Sequence, residues 1–498
     1  MSDKPVVGTG NAITRRKFLS TTAGALGVMM VLPARVLGRE GMAPSEKVNI
    51  ALVALGGRGA VHARELRDQN IVAVCDVDWR SLKDSPGRKA LSVPLGVTPR
   101  VCAVDMLPEV SGAKRYDDWR IMFDKHGKEL DAVVVATPSQ THAVASIAAL
   151  RMGKHVYCEK PLSRSIVETR AMVAEAAKKS TLTTHFGTQG HSYEDVLSMV
   201  EWIRDGAIGE VTEVCIICGM GKAKTDYSFL DDVAEHPIPA EFNWDMWLGP
   251  APFRPYNKKY GPLGGVGGWR DFGGGIGGIG CHLLDGPFWA LNLGMPETVY
   301  AERPADSQYD VEKHSLVYAP FGPLRFQFPA RGSMPPVTLK WVTSPPPPPP
   351  GWDPKDKLPG MGGIIYGSKG AIVYGNSWAC LPRSAATGEY KPAGVDPAYK
   401  PAQIYPLELA KAYQRKGPEI PRPFSHWVDW LDAIKAGRQS GTPFSYGGPL
   451  TELNQLGDIA CMLAGMVLKY DAKQGRFTNS DLANQLMTPP PYRKGWTM

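Results

Sequence analysis

The chain has 498 residues, of which 43% are apolar and 21% charged, the balance of a soluble globular protein with two or three domains. Its formal net charge is +7, and residues 1–38 hold five basic side chains against one acidic one, a net of +4 that leaves about +3 for the remainder. That charge is too small and too scattered to indicate nucleic-acid binding.

The N-terminal segment carries a paired-arginine motif. The stretch TRRKFL (residues 14–19) is followed by the mildly apolar run STTAGALGVMMVLPA. This pattern predicts a twin-arginine (Tat) signal peptide over residues 1–38, and hence a periplasmic or otherwise exported protein that uses the Tat export machinery as a partner. The alternative is an ordinary basic tail. The run is too short and weak to span a bilayer comfortably, so no membrane span is expected after processing.

Residues 47–185 alternate short apolar runs with helical patterns. Strands are predicted at KVNIALVAL, IVAVCDVD, LDAVVVATP and HVYCEKP, and helices at RGAVHARELRD, YDDWRIMFDKHG, THAVASIAALRMG and IVETRAMVAEAAKKS. TLTTHFG closes the series, and residues 80–112 form an irregular insertion. Strand–helix alternation with nearly continuous Val, Ile and Ala strands is typical of a buried parallel sheet.

The pattern changes beyond about residue 190. DVLSMVEWIRDG predicts a helix, GEVTEVCIICGM begins a strand-rich segment with long loops, and YPLELA and LTELNQLGDIACMLAGMVLKYD predict late helices. The prolines at 345–350 predict a stiff, extended surface segment, with a motif for a proline-reading partner as the alternative. We therefore predict a first domain over 47–185, a second over 186–475 and a tail over 476–498.

The cysteines do not indicate a metal site. Of the eight, only Cys215 and Cys218 are closely spaced, in a segment that is predicted to be a strand. Positions i and i+3 of a strand point to opposite faces, so the pair would chelate poorly. Several others lie in apolar runs typical of buried packing residues. We expect no metal ligands.

A glycine-rich turn follows the first predicted strand. Ala54-Leu55-Gly56-Gly57-Arg58-Gly59 differs from the usual G-x-G-x-x-G in starting with alanine, and Asp76 ends the next strand twenty residues after Gly56. Such a turn lets a pyrophosphate approach the backbone at a helix N-terminus. The pattern predicts a dinucleotide held by Gly56, Gly57, Arg58 and Gly59. Asp76 would accept both ribose hydroxyls and repel a 2′-phosphate, which favours NAD over NADP. The alternative is a structural turn without nucleotide.

Lys160 stands at the end of a strand, before Pro161. The carboxyl ends of parallel strands face the ligand crevice of an open α/β sheet. A partly desolvated lysine there can take or orient the proton that leaves an alcohol oxygen during dehydrogenation. The alternative is a surface lysine after a strand.

Taken together, the motifs resemble those of the Gfo/Idh/MocA oxidoreductases, relatives of glucose–fructose oxidoreductase and inositol dehydrogenase. The resemblance spans about residues 47–475 and is carried by VNIALVALGGRG, VAVCDVD, DAVVVATPSQTHA, HVYCEKPL, GTQGHSYEDV, FNWDMWLGPAPFRPY, WRDFGGG…GCHLLD and FSYGGPLTE. It implies an α/β fold, in which an N-terminal Rossmann dinucleotide-binding domain precedes a C-terminal α/β domain with a large open, mostly antiparallel sheet. One face of that sheet commonly mediates homo-oligomers in the family.

The resemblance also implies roles for single residues. Lys160 takes the catalytic proton and contacts substrate and cofactor, Glu159 contacts the cofactor, and the bond before Pro161 is often cis. Further cofactor-side positions are Thr137, Pro138, His142 and, in GTQGHS, Gln189. His142 has an alternative interpretation as a satisfied histidine at a helix start.

A second patch is implied in the glycine-rich segment after residue 268. His282 matches the family's catalytic histidine, but Gly278 stands where an aspartate is usual, four residues earlier. This departure fits either room for a bulky substrate or a degraded site, and His282 has a structural role as the alternative. The other substrate-side residues implied are Trp269, for which a core position is the alternative, Arg270 and Asp271. Asp271 and Asp285 are also candidates to supply, on the substrate side, the carboxylate that is missing at position 278.

These features predict a periplasmic, NAD-dependent oxidoreductase that transfers a hydride between a sugar or polyol hydroxyl carbon and a nicotinamide cofactor. Free NAD is scarce in the periplasm, so we expect tightly bound NAD and a redox cycle that closes on the enzyme. The first alternative is an NAD-assisted glycoside hydrolase or lyase that works through a transient keto-sugar. The second is a non-catalytic nucleotide- or sugar-binding relative.

Overall fold

The computed structural model describes residues 46–79, 108–219, 235–257, 268–304, 307, 309–314, 317–319, 322–375 and 401–498. The predicted export signal, most of the predicted insertion, Cys102 and Cys380 lie outside the described residues.

The first half of the described chain forms a six-stranded parallel sheet of order β3-β2-β1-β4-β5-β6. Its strands are β1 (Asn49–Val53), β2 (Asn70–Cys75), β3 (Lys114–Tyr116), β4 (Ala132–Val135), β5 (His155–Glu159) and β6 (Thr184–Gly187). The strand order reverses between β1 and β4, so a crevice opens beyond their carboxyl ends. The predicted parallel sheet is confirmed.

Helices connect the strands of this sheet: α1 (Arg58–Glu65), α2 (Trp119–His126), α3 (Ser139–Arg151) and α4 (Ile166–Lys178). Side-chain caps set two of their starts. Asp118 accepts the N–H of Arg120 at 2.8 Å, and Ser165 accepts that of Glu168 at 3.3 Å. These bonds satisfy N–H groups that have no partner within the helix.

The second half forms a nine-stranded sheet of order β13-β12-β11-β7-β10-β9-β8-β14-β15, antiparallel except where β7 pairs with β10. Its strands are β7 (Val211–Cys218), β8 (Thr298–Ala301), β9 (Leu324–Phe328), β10 (Val337–Val342), β11 (Met361–Gly367), β12 (Ala371–Gly375), β13 (Gln403–Tyr405), β14 (Leu468–Asp471) and β15 (Arg476–Phe477). Cys215 and Cys218 both lie in β7, as the predicted strand requires.

Eight further helices are described in this half: α5 (Glu194–Arg204), α6 (Trp244–Leu248), α7 (Gly277–Leu283), α8 (Asp285–Ala290), α9 (Leu407–Ala412), α10 (His426–Ala436), α11 (Phe444–Met462) and α12 (Asp481–Leu486). The helix predicted over LTELNQLGDIACMLAGMVLKYD ends earlier than expected, at Met462, and its last four residues form β14. Among the described residues, no helix is both long and apolar enough to cross a membrane.

Helix α10 and the C-terminal tail pack against the first domain as well as following the second sheet in sequence. Trp427, Trp430 and Leu431 of α10 are buried in one cluster with Ile50 and Leu52 of β1. The predicted tail over 476–498 contains β15 and α12, and its Trp496 is buried near Trp119 of α2, with ring centroids 6.2 Å apart. Residues late in the chain therefore complete the first domain.

Candidate functional site

A cavity of about 300 Å³ lies at the carboxyl ends of β1, β2, β4 and β5. Predicted site residues in its wall are Gly56, Gly57, Arg58, Asp76, Thr137, Pro138, Glu159 and Lys160. Its other lining residues are Val53, Ala54, Cys75, Val77, Asp78, Trp119, Ala136, Thr141, Met246 and Trp247. The structure therefore brings the glycine turn, the acid at the end of β2 and the lysine at the end of β5 to one space.

The glycine turn contains two residues with positive φ, one of which is an alanine. Gly57 has φ 55° and Ala54 has φ 78°, so an alanine occupies the left-handed region that glycine favours. A Cβ added to Gly59 would lie 2.2 Å from the carbonyl oxygen of Ala54. Gly59 is absent from the cavity wall, and its role among the described residues is to let α1 start close to β1.

Asp76 ties the glycine turn to the end of β2. One of its carboxylate oxygens accepts the N–H groups of Leu55 at 2.7 Å and Gly56 at 3.3 Å, and the other accepts that of Asp78 at 3.0 Å. The carboxylate therefore shapes the turn as well as lining the cavity. Asp78 also lines the cavity, and the sequence interpretation missed it. Its spacing from Asp76 was the available signal, because residues i and i+2 of an extended chain share a face.

The wall fits a dinucleotide on structural grounds. A Cβ on Gly56 would have no neighbour within 4 Å, so the backbone there is open to a ligand. The hydroxyl of Thr137 is buried without a hydrogen-bond partner among the described residues, and such groups normally have one. Backbone N–H groups at the start of α1, next to Arg58, suit an anionic pyrophosphate.

Glu159 is a buried carboxylate in the cavity wall, 4% exposed. It accepts hydrogen bonds from Gln189 Nε2 at 2.8 Å, from the Lys160 N–H at 3.3 Å and from Arg58 Nε at 3.5 Å, and it lies 3.1 Å from His62 Nε2. Burial alone would raise the pKa of Glu159. The Arg58 guanidinium and His62 outweigh this effect and bring the pKa well below its usual range. Glu159 is therefore a fixed negative charge beside Lys160.

Lys160 extends from the same strand end toward the second domain. Its Nζ donates to the carbonyl oxygen of Gly278 in α7 at 2.7 Å. The Lys160–Pro161 peptide bond is cis, as the family resemblance implied. A Cβ on Gly278 would meet no described atom within 4 Å, so no described side chain fills the position at which the family resemblance implied an aspartate.

Two residues expected beside the cofactor lie behind the cavity wall. His142 is 1% exposed, with Nδ1 2.8 Å from the carbonyl oxygen of Pro161 and Nε2 2.7 Å from that of Thr137. Burial lowers the pKa of His142, and the two carbonyls offset only part of this. His142 does not line the cavity, and its position fits the alternative of a satisfied helix-start histidine. Gln189 likewise acts through Glu159 and Tyr157, to whose hydroxyl it donates at 2.9 Å.

His282 lies on α7 close to the lysine but outside the cavity wall. Its Nδ1 is 3.5 Å from the Thr188 hydroxyl, and its Nε2 is buried without a partner among the described residues. Burial, followed by the charge of Lys160, lowers the pKa of His282 well below its usual range. The ring is therefore neutral and has one nitrogen available for a ligand group.

The remaining predicted substrate-side residues do not line this cavity and have protein partners of their own. Trp269 is 4% exposed in the core, where the Arg254 guanidinium carbon lies 4.5 Å from its ring centre. Arg270 donates to the carbonyl oxygens of Leu486 and Thr488, both at 3.0 Å, and so is directed at the C-terminal segment.

Both aspartates proposed for the substrate side are fully buried and paired. Asp271 forms an ion pair with Arg254. Asp285 accepts from the Tyr446 hydroxyl at 2.5 Å and lies 2.9 Å from His191 Nδ1. Neither carboxylate lines the cavity, so neither stands there in place of the aspartate that the family resemblance implied at position 278.

The fold and the cavity define a dinucleotide-binding α/β protein with a lysine at its ligand crevice. Sequence comparison identifies the class more closely. A model of the Gfo/Idh/MocA oxidoreductase family described as an NAD-binding Rossmann fold matches residues 48–186, and the family's C-terminal alpha/beta domain matches residues 195–313. The chain belongs to this family.

Curated relatives match over parts of the chain. A glycosyl hydrolase family 109 protein of Stenotrophomonas maltophilia is 28% identical over 210 residues, 41% of this chain and 41% of the relative. An inositol 2-dehydrogenase of Rubrobacter xylanophilus is 28% identical over 170 residues, 33% of this chain and 42% of the relative. These matches span less than half of either relative.

Among solved structures, an aldose-aldose oxidoreductase from Caulobacter crescentus complexed with glycerol has a TM-score of 0.48 and 16% identity, covering 85% of this chain and 99% of that one.

Proposed function

We propose that this protein is an NAD-dependent oxidoreductase that acts on a CH–OH group of a sugar or polyol, with Lys160 as its acid–base residue. The observation that carries the proposal is that Lys160 lines the same cavity as the glycine turn and Asp76. Family membership and the sugar and polyol dehydrogenases among the relatives support it.

Each part of the site has a task in this reaction. A bound nicotinamide would supply the hydride acceptor. Lys160, held toward α7 by the carbonyl of Gly278, takes the hydroxyl proton of the substrate when its side chain is the neutral amine, and becomes the ammonium. The Nε2 of His282, which has no hydrogen-bond partner in the described part of the chain, orients a second hydroxyl. Asp76 and Asp78 disfavour a 2′-phosphate by charge, which supports NAD over NADP.

The catalytic assignment is tested by Lys160→Met. Loss of a general base slows turnover by about 10²- to 10⁴-fold. Lys154→Met is a matched control, because Lys154 precedes the same strand and also donates to a backbone carbonyl, that of Leu130, at 2.8 Å. We expect Lys160→Met to lose most turnover on the substrate found from a sugar and polyol panel, with dinucleotide affinity within several-fold of wild type. Equal turnover in the two variants would remove Lys160 from the mechanism.

Export and tight cofactor binding belong to the same proposal. The paired-arginine motif supports a periplasmic location, and a cofactor loaded before export would have to stay bound through each redox cycle. Mass analysis of small molecules released from the denatured, exported protein should find NAD at close to one per chain. A protein that neither contains nor accepts a dinucleotide would overturn the proposed function.

A second candidate function is NAD-assisted glycoside hydrolysis, which is favoured by the similarity to a glycosyl hydrolase family 109 protein. The same cavity would serve a transient oxidation followed by elimination, water addition and re-reduction. Turnover of glycosides without net change at the NADH absorbance band would select it over dehydrogenation. A panel in which no sugar reduces bound NAD and no glycoside is cleaved would favour a non-catalytic binding protein.

We also propose a homo-oligomer formed through one face of the nine-stranded sheet. On one face of β10, Thr338, Lys340 and Val342 are half-buried, and the Lys340 ammonium pairs with Glu213 of β7 at 2.6 Å. Light scattering of the purified protein gives the assembly size. A reversal of charge at Lys340 should weaken the assembly.

A further inference from the structure

Helix α10 brings an indole into the first domain. Trp427 is 3% exposed, and its Nε1 donates to His62 Nδ1 at 2.8 Å. An indole nitrogen is only a donor, so His62 Nδ1 must be an acceptor that carries no proton. In a neutral imidazole the proton then sits on Nε2, which lies 3.1 Å from Glu159 Oε1. Trp427 thus fixes the tautomer in which His62 donates to Glu159.

The two oxygens of Glu159 have different surroundings. Oε1 accepts from Gln189 Nε2 at 2.8 Å and from Arg58 Nε at 3.5 Å, in addition to His62. Among the described residues, the hydrogen-bond donor to Oε2 is the Lys160 N–H, at 3.3 Å. A carboxylate oxygen can accept more than one such bond. Oε2 therefore keeps acceptor capacity in a residue that lines the cavity.

We propose that Trp427 and His62 are positioning residues for the dinucleotide site, which hold Glu159 ionised and leave Oε2 to accept from a hydroxyl or amide of the bound dinucleotide. This inference rests on the proposed function. It assigns a helix of the late chain, about 270 residues beyond the strand that it supports, to the cofactor site.

The charged groups around His62 determine how its protonation would respond to loss of the hydrogen bond from Trp427. His62 faces Arg58 on its own helix, Glu159 and Tyr157 on β5, His185 on β6 and the indole on α10. Burial lowers the pKa of His62, and Glu159 offsets only part of this. Without the indole N–H, the lone pair of Nδ1 is no longer occupied, so His62 takes a proton at a higher pH than in wild type. The resulting imidazolium neutralises Glu159 and weakens Oε2 as an acceptor.

The test compares Trp427→Phe with Trp430→Phe. Trp430 lies one turn further along α10 and is fully buried, but its Nε1 has no hydrogen-bond partner among the described residues. Both changes remove the same atoms from one helix, and only Trp427→Phe removes a hydrogen bond to His62. NAD⁺ and NADH affinities are measured by calorimetry at pH 8 and pH 5.5.

We expect Trp427→Phe to bind NAD⁺ about tenfold more weakly at pH 5.5 than at pH 8, while wild type and Trp430→Phe change by no more than about twofold. Urea unfolding of the apo-protein provides a second measurement that does not depend on cofactor binding. Because the freed Nδ1 can be protonated, the urea midpoint deficit of apo Trp427→Phe relative to Trp430→Phe should be smaller at pH 5.5 than at pH 8.

A second pair keeps the inference testable if Trp427→Phe does not fold. His62→Gln retains an N–H donor for Glu159 and should keep most of the affinity, whereas His62→Leu should lose at least about tenfold. Identical pH profiles for the two tryptophan variants, or equal affinity of the two His62 variants, would overturn the positioning role. Wild-type protein that binds no dinucleotide at any pH would instead refute the proposed function.

Discussion

The strongest energetic prediction concerns the charge of Glu159. Glu159→Gln keeps the shape of the side chain and removes its charge. The new amide presents one oxygen and one NH₂ group to the donors around it. The NH₂ group faces a donor in either orientation, and Arg58 loses its partner in the ion pair.

The expected cost follows from burial. Removing one partner of a buried ion pair typically costs about 3–5 kcal/mol. The Arg58 side chain is 27% exposed, so water can solvate part of its charge, and we expect a loss of about 2–3 kcal/mol in the free energy of unfolding at pH 7. That loss is larger than the ordinary effect of a surface substitution, about 0.5 kcal/mol.

The pH dependence gives the sharper test. Because the folded-state pKa of Glu159 is lowered, its stabilisation is present above the ordinary glutamate pKa of about 4.3 and is lost as the pH falls toward the folded value. The deficit of Glu159→Gln should therefore shrink between pH 6 and pH 3. Urea unfolding of the apo-protein measures it, with the exposed Glu129→Gln as control. A deficit below about 0.5 kcal/mol at pH 7, or one that does not change with pH, would refute the reasoning.

Two further substitutions test the backbone and the buried charge. Gly59→Ala should cost about 2–3 kcal/mol, because the new Cβ would lie 2.2 Å from a backbone oxygen of Ala54, whereas Gly56→Ala meets no atom within 4 Å and should be nearly neutral in urea unfolding. Burial raises the pKa of Asp458 well above its usual range, and the Ile276 N–H at 2.8 Å offsets only part of this. A raised pKa means that stability falls as the pH rises above the ordinary value of about 3.9, so Asp458→Asn should be more stable than wild type by about 1–2 kcal/mol at pH 8 and not at pH 3. Equal free energies of unfolding of wild type and Asp458→Asn at pH 8 would contradict the raised pKa of Asp458.

The parallel sheet could be predicted because its strands are buried on both faces and appear as continuous apolar runs. The edge strand β3 could not, since its sequence Lys-Arg-Tyr is mostly polar and exposed. The helix predicted through LKYD shows a missed signal. Gly465, three residues after Met462, adopts φ 94°, a backbone conformation that glycine favours and through which an α-helix cannot continue.

The cofactor half of the site could also be predicted, because its residues sit at strand ends that the fold brings together. The second patch depended on tertiary partners that no local pattern shows. Asp271 is neutralised by Arg254 and Asp285 is bound by Tyr446, so both carboxylates stabilise the fold instead of facing the cavity. For the same reason, no local pattern predicts that Trp427 contacts His62.

Gly278 decides how the lysine is held. An aspartate at this position, which the family resemblance implied, could share the proton chemistry of the lysine. Here Lys160 Nζ is held at 2.7 Å by a backbone carbonyl, whose partial charge does not change with pH. In the proposed reaction, acid–base work therefore falls to Lys160 itself, with the neutral His282 nearby. Because a Cβ at position 278 would meet no described atom within 4 Å, we propose that a substrate with a bulky group next to the reacting hydroxyl can be accommodated beside Lys160.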